Sequence, residues 1–353
     1  MIKVLVVEDS KVIQELIKNI LSSDKSIELV GVVNNGKDAV DFVKRIIPDV
    51  ITMDVQMPIM DGLEATKQIM ANTPVPIIIV SSLFHPNDVL DTFKALKSGA
   101  VSVVEKPHSY GTKEFEENAR EFLHKIKLMA EIKVIKRTWS LMDSHPATLG
   151  EQQNIITHIP KNVRVIALGA STGGPVVIEK ILSGLPKTFN IPILLVQHIT
   201  AGFTEGFIDW LNTTSSIPVV LAKESEKILG GRCYVAPDNK HLLVDKNENV
   251  IISGNPPENN LRPAVSVLFR SVEEVYGFKA LGILLTGMGR DGAAELKVMK
   301  DSGSITITQS AESCVVYGMP GEAVKLNGST YSLSPEGIID YLCNLSMPKE
   351  LIS

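Results

Sequence analysis

The chain has 353 residues, 44 % of them hydrophobic and 21 % charged, a composition typical of a soluble globular protein with about two domains. Its formal net charge of -5 provides no overall basic surface for nucleic acid or anionic lipid, so we expect no nucleic-acid partner. The cysteines, Cys233, Cys314 and Cys343, are far apart, and no apolar run approaches the roughly 18 residues of a membrane span, which together predict a cytoplasmic protein without direct membrane insertion.

Five short apolar runs in the first third of the chain alternate with segments of helical periodicity. The runs cover residues 3–7, 29–33, 50–53, 76–80 and 101–104. Continuous apolar strands separated by helices are typical of a parallel sheet that is covered on both faces. We therefore predict an α/β domain over residues 1–125, built on a five-stranded, doubly wound parallel sheet.

The composition changes after this domain. Residues 112–137 predict one long charged helix, whereas residues 139–160 have no clear periodicity and contain Pro146, Gly150 and several polar side chains. We interpret residues 126–160 as a helical extension followed by a linker.

Strand and helix patterns alternate again over residues 161–348. Strands are predicted at 163–168, 192–196, 219–222, 281–285 and 305–308, and helices at 175–182, 204–211, 265–276 and 293–300. Residues 231–253 interrupt the alternation with short apolar runs separated by turn residues, which are typical of β-hairpins. The sequence predicts a second α/β domain with a mostly parallel sheet and an inserted β-hairpin region.

Polar residues follow four of the five N-terminal strands. Glu8 and Asp9 follow the first strand, Asp54 the third, Ser81 the fourth and Lys106 the fifth. Each of them alone is more often a turn or cap residue, but the carboxyl ends of parallel strands share one edge of a sheet, where ligands bind. Their coincidence predicts clustered carboxylates around a cation such as Mg²⁺, beside groups that bind a phosphoryl group.

The motifs around these residues are Val6-Val7-Glu8-Asp9-Ser10, Met53-Asp54-Val55-Gln56-Met57-Pro58-Ile59-Met60-Asp61-Gly62, Ser81-Ser82 and Glu105-Lys106-Pro107. They resemble the receiver domain of bacterial response regulators. The resemblance implies that Asp54 accepts a phosphoryl group from a histidine kinase, with Ser81 and Lys106 as switch residues. It also implies a Mg²⁺ site, for which the candidates are Glu8, Asp9, Asp54 and Gln56.

The most informative C-terminal segment is a glycine-rich turn with the pattern G-x-S-x-G at residues 169–173. Glycines allow a sharp strand-to-helix turn that exposes Ser171, although such a turn can equally be a ligand loop or a plain structural turn. His198 follows the next strand, and Asp291 lies in another glycine-rich turn. A structural histidine and a helix N-cap are the plain alternatives for these two residues. Together, the three predict a nucleophile, a base and its carboxylate partner.

The motifs of this region are Gly169-Ala170-Ser171-Thr172-Gly173-Gly174-Pro175, Val196-Gln197-His198, Gly202-Phe203-Thr204, Tyr234-Val235-Ala236-Pro237, His241, Arg262-Pro263, residues 285–293 and residues 315–320. They resemble the catalytic domain of the chemotaxis protein-glutamate methylesterase/glutamine deamidase family. The resemblance implies a Ser171-His198-Asp291 triad that hydrolyses glutamate methyl esters on the cytoplasmic helices of chemoreceptors and deamidates receptor glutamines. It also implies that the Met288 N–H helps to form the oxyanion hole, that Thr172 supports the site, and that a chemotaxis histidine kinase is the phosphodonor.

Three departures from the family pattern concern substrate fit. Ile199-Thr200 follows His198 where Met-Pro is usual, Ser266 stands where Asp is frequent, and Glu295 replaces a small residue.

Two other functions are weighed against the esterase. A nicotinamide-dependent oxidoreductase could use the loop at 169–174, but it would need an acidic residue about 20 positions further on, and the next strand ends in Gln197-His198 instead. A response regulator that binds DNA or protein without esterase activity is the second alternative. A DNA-binding form would need a basic recognition helix, and residues 160–348 contain no dense Lys/Arg cluster.

Overall fold

The computed structural model describes residues 1–82, 86–108, 112–132, 134 and 162–345. The chain divides into two compact units, Met1–Thr148 and Leu149–Ser353. None of the described helices is long and apolar enough to cross a bilayer.

The first unit contains a five-stranded sheet in the order β2-β1-β3-β4-β5, and all its strand pairs are parallel. The strands are β1 (Ile2–Val7), β2 (Ile27–Val33), β3 (Val50–Asp54), β4 (Ile77–Ser81) and β5 (Ser102–Glu105). Helices α1 (Lys11–Ser22), α2 (Gly36–Val43), α3 (Gly62–Asn72), α4 (Pro86–Lys97) and α5 (Lys113–Ala130) connect and follow them. The central strands β1, β3 and β4 are almost entirely buried. The predicted five-stranded parallel sheet is confirmed.

Helix α5 is shorter than the single helix predicted over residues 112–137, because it ends at Ala130. It packs against β5 and α1 and so belongs to the first unit. Residues 135–160, most of the extension and linker predicted at 126–160, lie outside the described residues. The division of the chain at residues 125 and 160 stays a prediction.

The second unit contains a seven-stranded sheet in the order β14-β13-β12-β6-β7-β9-β8, again with every pair parallel. Its strands are β6 (Val165–Ala170), β7 (Ile193–Gln197), β8 (Val219–Leu221), β9 (Cys233–Val235), β12 (Ala280–Leu284), β13 (Ile305–Gln309) and β14 (Tyr331–Leu333). The remaining two, β10 (His241–Val244) and β11 (Val250–Ser253), form an antiparallel hairpin. The predicted hairpin region therefore exists, but its first run is a strand of the main sheet.

The helices of this unit are α6 (Gly174–Gly184), α7 (Thr204–Asn212), α8 (Val265–Tyr276), α9 (Ala293–Asp301), α10 (Met319–Lys325) and α11 (Pro335–Leu345). Helix α8 packs against both the hairpin strand β10 and the central strand β6, so it joins the insertion to the main sheet. Three elements, β14, α10 and α11, lie beyond the last strand that the sequence predicts.

Candidate active sites

A carboxylate cluster occupies the carboxyl edge of the first sheet. Glu8 and Asp9 follow β1, and Asp54 is the last residue of β3, which pairs with β1. One oxygen of each carboxylate lies within 4.8 Å of the others. Glu8 and Asp54 are buried, whereas Asp9 is exposed. Oxygen ligands of this kind suit a hard divalent cation, so the residues fit the magnesium site that the sequence predicts.

Lys106 is the cation that the structure brings to this cluster. Its Nζ lies 2.7 Å from Asp54 Oδ2 and 3.2 Å from Glu8 Oε2. Ser81, at the end of β4, is buried beside it, and its carbonyl accepts a hydrogen bond of 2.8 Å from the Lys106 N–H. Gln56 is exposed, and its N–H donates to Asp54 at 3.4 Å.

One lysine does not balance the negative charge of this cluster. Burial, reinforced by the charge of Asp54, raises the pKa of Glu8 to about 7, although Lys106 acts in the opposite direction. Burial also raises the pKa of Asp54 against the effect of Lys106. Both shifts mean that ionisation of these two carboxyl groups is unfavourable, and a divalent cation beside them would favour the ionised forms.

Ser171 lies on a tight turn between β6 and α6. β6 is the central strand of the seven, and the turn passes through Gly173 at φ 79°, a left-handed conformation that favours glycine. Pro175 then occupies the first turn of α6, as is common at helix starts. The Ser171 N–H donates to the Thr286 carbonyl at 3.0 Å, which fixes the turn against the loop that follows β12.

His198 follows β7, the neighbour of β6, and its N–H donates to the Ala170 carbonyl at 2.9 Å. His198 therefore lies across from the Ser171 turn, on strands spaced about 4.8 Å apart. The side-chain Nε2 lies 2.9 Å from Asp291 Oδ2. When the carboxylate is ionised, Nε2 carries the proton, and Nδ1 is the basic nitrogen of the ring.

Asp291 is the most firmly held of the three side chains. It is buried, and besides His198 it accepts hydrogen bonds from the Val265 N–H at 2.6 Å and the Ser266 N–H at 3.1 Å. These two N–H groups open helix α8, whose N-cap residue Ala264 supplies no side-chain cap. Burial alone would raise the pKa of Asp291, but its hydrogen-bond donors outweigh burial and hold the pKa below the usual value.

The Ser171 hydroxyl makes no hydrogen bond to any described residue. The structure therefore joins His198 to Asp291 and places Ser171 beside them, without a closed contact between serine and histidine. Such contacts are often long without substrate and tighten when it binds. The N–H groups of Thr172, which follows Ser171, and of Met288, two residues after Thr286, donate to no acceptor among the described residues.

The structure accounts for two of the three departures from the family pattern. Ser266 Oγ accepts a hydrogen bond of 2.9 Å from the Gly292 N–H, so a hydroxyl holds the loop that carries Asp291. Glu295 pairs with Arg270 at 3.1 Å on the protein surface and makes no polar contact with the triad residues. Nothing in the structure explains Ile199-Thr200.

The sequence analysis gave no role to two buried polar residues of the site, Gln197 and Thr286. Gln197 donates from Nε2 to the carbonyls of Ser171 and His198, at 3.0 and 2.7 Å. The hydroxyl of Thr286 donates to the Thr172 carbonyl at 3.0 Å and accepts from the Val316 N–H at 3.0 Å. The sequence could have indicated both residues by position, because Gln197 ends the apolar strand β7 and Thr286 closely follows the apolar strand β12.

Known proteins resemble the chain in both units and over its full length. The CheB methylesterase family matches residues 166–342, and the response regulator receiver domain family matches residues 4–117. The protein-glutamate methylesterase/protein-glutamine glutaminase 1 of Syntrophus aciditrophicus (strain SB) is 50 % identical over 98 % of this chain and 99 % of that protein. The enzyme numbered 4 of Geobacter metallireducens is 45 % identical over 99 % of this chain and 100 % of that protein.

Among solved structures, the CheB methylesterase catalytic domain of Thermotoga maritima covers 52 % of this chain and 98 % of its own, with 33 % identity and a TM-score of 0.50. Matches that place a receiver before a methylesterase domain, together with relatives that span the chain from end to end, show that it belongs to the CheB methylesterase family.

Proposed function

We propose that the chain hydrolyses glutamate methyl esters on chemoreceptors, with Ser171 as nucleophile, His198 as general base and Asp291 as its partner. The hydrogen bond of 2.9 Å between His198 and Asp291, at the sheet edge that carries Ser171, is the observation that supports these roles. Serine is nearly unreactive at its free pKa, and a neighbouring imidazole held by a carboxylate supplies the missing base.

In the first half-reaction, Ser171 Oγ attacks the ester carbonyl carbon while His198 Nδ1 takes the hydroxyl proton. The tetrahedral intermediate carries its charge on the former carbonyl oxygen, which the N–H groups of Met288 and Thr172 stabilise. Losing one such donor typically lowers the rate by a factor on the order of 10²–10³. The C–O bond to the methoxy group then breaks, and His198 returns the proton so that methanol leaves.

Hydrolysis of the acyl-enzyme follows the same route. His198 removes a proton from water, the hydroxide attacks the acyl carbon, and the Ser171 oxygen leaves with the proton that His198 carries. The products are a receptor glutamate and the free serine. A primary amide in place of the ester releases ammonia instead of methanol, which gives deamidation of receptor glutamines.

The receiver controls this reaction by phosphorylation of Asp54. We assign the phosphodonor to a chemotaxis histidine kinase and the metal site to Glu8, Asp9, Asp54 and Gln56, which fit Mg²⁺. A cation held there would neutralise charge on the phosphoryl group, and we infer that Lys106, which lies 2.7 Å from Asp54, and Ser81 would contact that group.

We infer a cytoplasmic location, because the receptor helices that would carry the substrate lie in the cytoplasm. The alternative of a response regulator without esterase activity is not supported, because the methylesterase family matches residues 166–342. The same match favours a nucleophile over a nicotinamide cofactor at the glycine-rich turn of residues 169–174.

The test is methanol release from methylated receptor, measured with and without a small phosphodonor and Mg²⁺. The wild-type enzyme and a Glu295→Ala control are expected to release methanol, and the phosphodonor is expected to increase the rate. Ser171→Ala should be inactive in both conditions, whereas Asp54→Asn should keep the basal rate and lose the increase. Near wild-type turnover by Ser171→Ala would refute the nucleophile, and an equal increase in Asp54→Asn would refute the phosphorylation site.

A further inference from the structure

We propose that Gln197 is a positioning residue that fixes the nucleophile Ser171 and the base His198 relative to each other. This inference rests on the proposed roles of Ser171 and His198. It concerns a residue that touches neither substrate nor the reacting atoms.

The Gln197 amide bridges the two backbone segments that carry the reacting side chains. Its Nε2 donates to the Ser171 carbonyl at 3.0 Å and to the His198 carbonyl at 2.7 Å. The His198 N–H, in turn, donates to the Ala170 carbonyl at 2.9 Å. The strand ends of β6 and β7 are thus tied together beyond the last residues of their parallel pairing, Ala170 and Gln197.

The amide has no other evident reason to be buried. Gln197 is 4 % exposed, and its Oε1 has no hydrogen-bond partner among the described residues. A buried acceptor without a partner lowers stability, and the rest of β7 is apolar and buried. An apolar side chain would therefore suit the fold better, and what a glutamine adds is its pair of donated hydrogen bonds.

The start of helix α6 is shaped around this amide. A Cβ atom on Gly174 would lie 2.2 Å from Gln197 Oε1 and 2.8 Å from the Ala170 Cβ. Gly174 also donates its N–H to the Ser171 carbonyl at 2.8 Å. The Ser171 carbonyl therefore accepts hydrogen bonds from Gly174 and from Gln197. Only a glycine at position 174 leaves room for the amide in this place.

The role predicts opposite effects on rate and stability. Gln197→Met keeps the length of the side chain, removes both donors and removes the unpaired oxygen. We expect kcat for methanol release to fall about 10- to 100-fold, as misplacement of reacting groups by about 1 Å commonly does, with KM within about twofold of wild type and an unchanged or higher unfolding temperature. Gln197→Glu, which has the same shape and cannot donate when ionised, should lose a similar factor in kcat.

The decisive experiment uses the full-length chain and compares Gln197→Met in two backgrounds. If the amide acts through the base, Gln197→Met lowers the rate in the wild type but causes no further loss in His198→Ala, because residues that act as a unit are not additive. The residual rate of His198→Ala is measurable by long incubation with tritium-methylated receptor. Glu295→Ala serves as the surface control and should match wild type throughout.

Three results overturn the inference. The first is a wild-type kcat in Gln197→Met when Ser171→Ala is inactive, which refutes this role and leaves the triad intact. The second is a fall in rate on Gln197→Met that is as large in the His198→Ala background as in the wild type. A loss of activity that merely parallels a loss of folded protein has the same meaning, since either result makes Gln197 a structural residue. The third is an active Ser171→Ala variant, which refutes the triad and this inference with it.

Discussion

Replacing Asp291 by asparagine tests how the carboxylate directs His198. The carboxylate accepts at Oδ2 from Val265 N–H at 2.6 Å and from His198 Nε2 at 2.9 Å, and at Oδ1 from Ser266 N–H at 3.1 Å. An asparagine has one acceptor oxygen and an NH₂ group that only donates. In either orientation, the asparagine NH₂ therefore faces at least one of the N–H groups that donate to Asp291 in the wild type, and that hydrogen bond is lost.

The two orientations of the asparagine differ in their effect on catalysis. With its oxygen at the Oδ2 position, it keeps the two shorter hydrogen bonds, and its NH₂ opposes only the Ser266 N–H. In the reverse orientation, the NH₂ opposes the Val265 N–H and forces His198 into the tautomer in which Nδ1 cannot accept the serine proton. The first orientation preserves more hydrogen bonds, so we expect the Asp291→Asn variant to keep the productive tautomer.

Only the charge of the carboxylate is then lost to catalysis. A charge-assisted hydrogen bond contributes about 1.5–3 kcal/mol, which corresponds to about a 10- to 150-fold lower kcat at about 1.4 kcal/mol per factor of ten. Asp291→Ala removes the partner altogether and should lower kcat by roughly 10⁴.

The assay is kcat for methanol release at saturating methylated receptor, with thermal unfolding of each variant to establish that it is folded. Glu295→Ala, which alters a carboxylate of the neighbouring helix, is the matched control. Equal kcat values for Asp291→Asn and Asp291→Ala would refute the argument, because they would mean that the amide holds the wrong tautomer or none.

Three further outcomes follow from the contacts described above. Glu295→Ala should change kcat less than about twofold and the free energy of unfolding by less than about 1 kcal/mol, since its ion pair with Arg270 is partly exposed; denaturant titration and methanol release check this, and a large loss in either contradicts it. Asp238 accepts from the Gly202 N–H and the Thr204 hydroxyl, so Asp238→Ala should lower the free energy of unfolding by about 1–3 kcal/mol, and an unchanged denaturation midpoint would argue against a stabilising role of these two hydrogen bonds. Burial raises the pKa of the Cys233 thiol far above its usual range, so a disulfide reagent at about pH 8, near the usual thiol pKa, should modify this thiol only after unfolding, as peptide mapping would show.

The sequence indicates where a site can form, because functional side chains in parallel α/β sheets collect at one edge. Ser171, His198 and Asp291 each follow a buried strand or lie in the turn after one, and this shared position, together with the family motifs, made them the candidates. Strand order, however, depends on contacts across long stretches of chain. The short run at Cys233–Val235 has the same local pattern in a hairpin as in the main sheet, so its parallel partner β7 could not be read from the sequence.

The residues that hold the candidate site in place are harder to predict from the sequence than the candidate reacting groups. Asp291 is held by N–H groups at the start of helix α8, and nothing in the residues at 265 and 266 indicates that their backbone faces a distant carboxylate. Likewise, Gln197 is a polar residue at a strand end, a position that many structural residues share. Only the spatial arrangement distinguishes a glutamine that ties two strands together from one that caps a turn.

The placement of β6 at the centre of the seven-stranded sheet has a consequence for folding. The hydrogen bond from His198 to Asp291 spans 93 residues, and it joins the strand on one side of β6 to the loop after the strand on the other side. No short contiguous fragment can form this arrangement, and long-range pairings of this kind form slowly. Recovery of hydrolysis during refolding should therefore lag behind recovery of helix content, because helices form from local contacts and the triad does not.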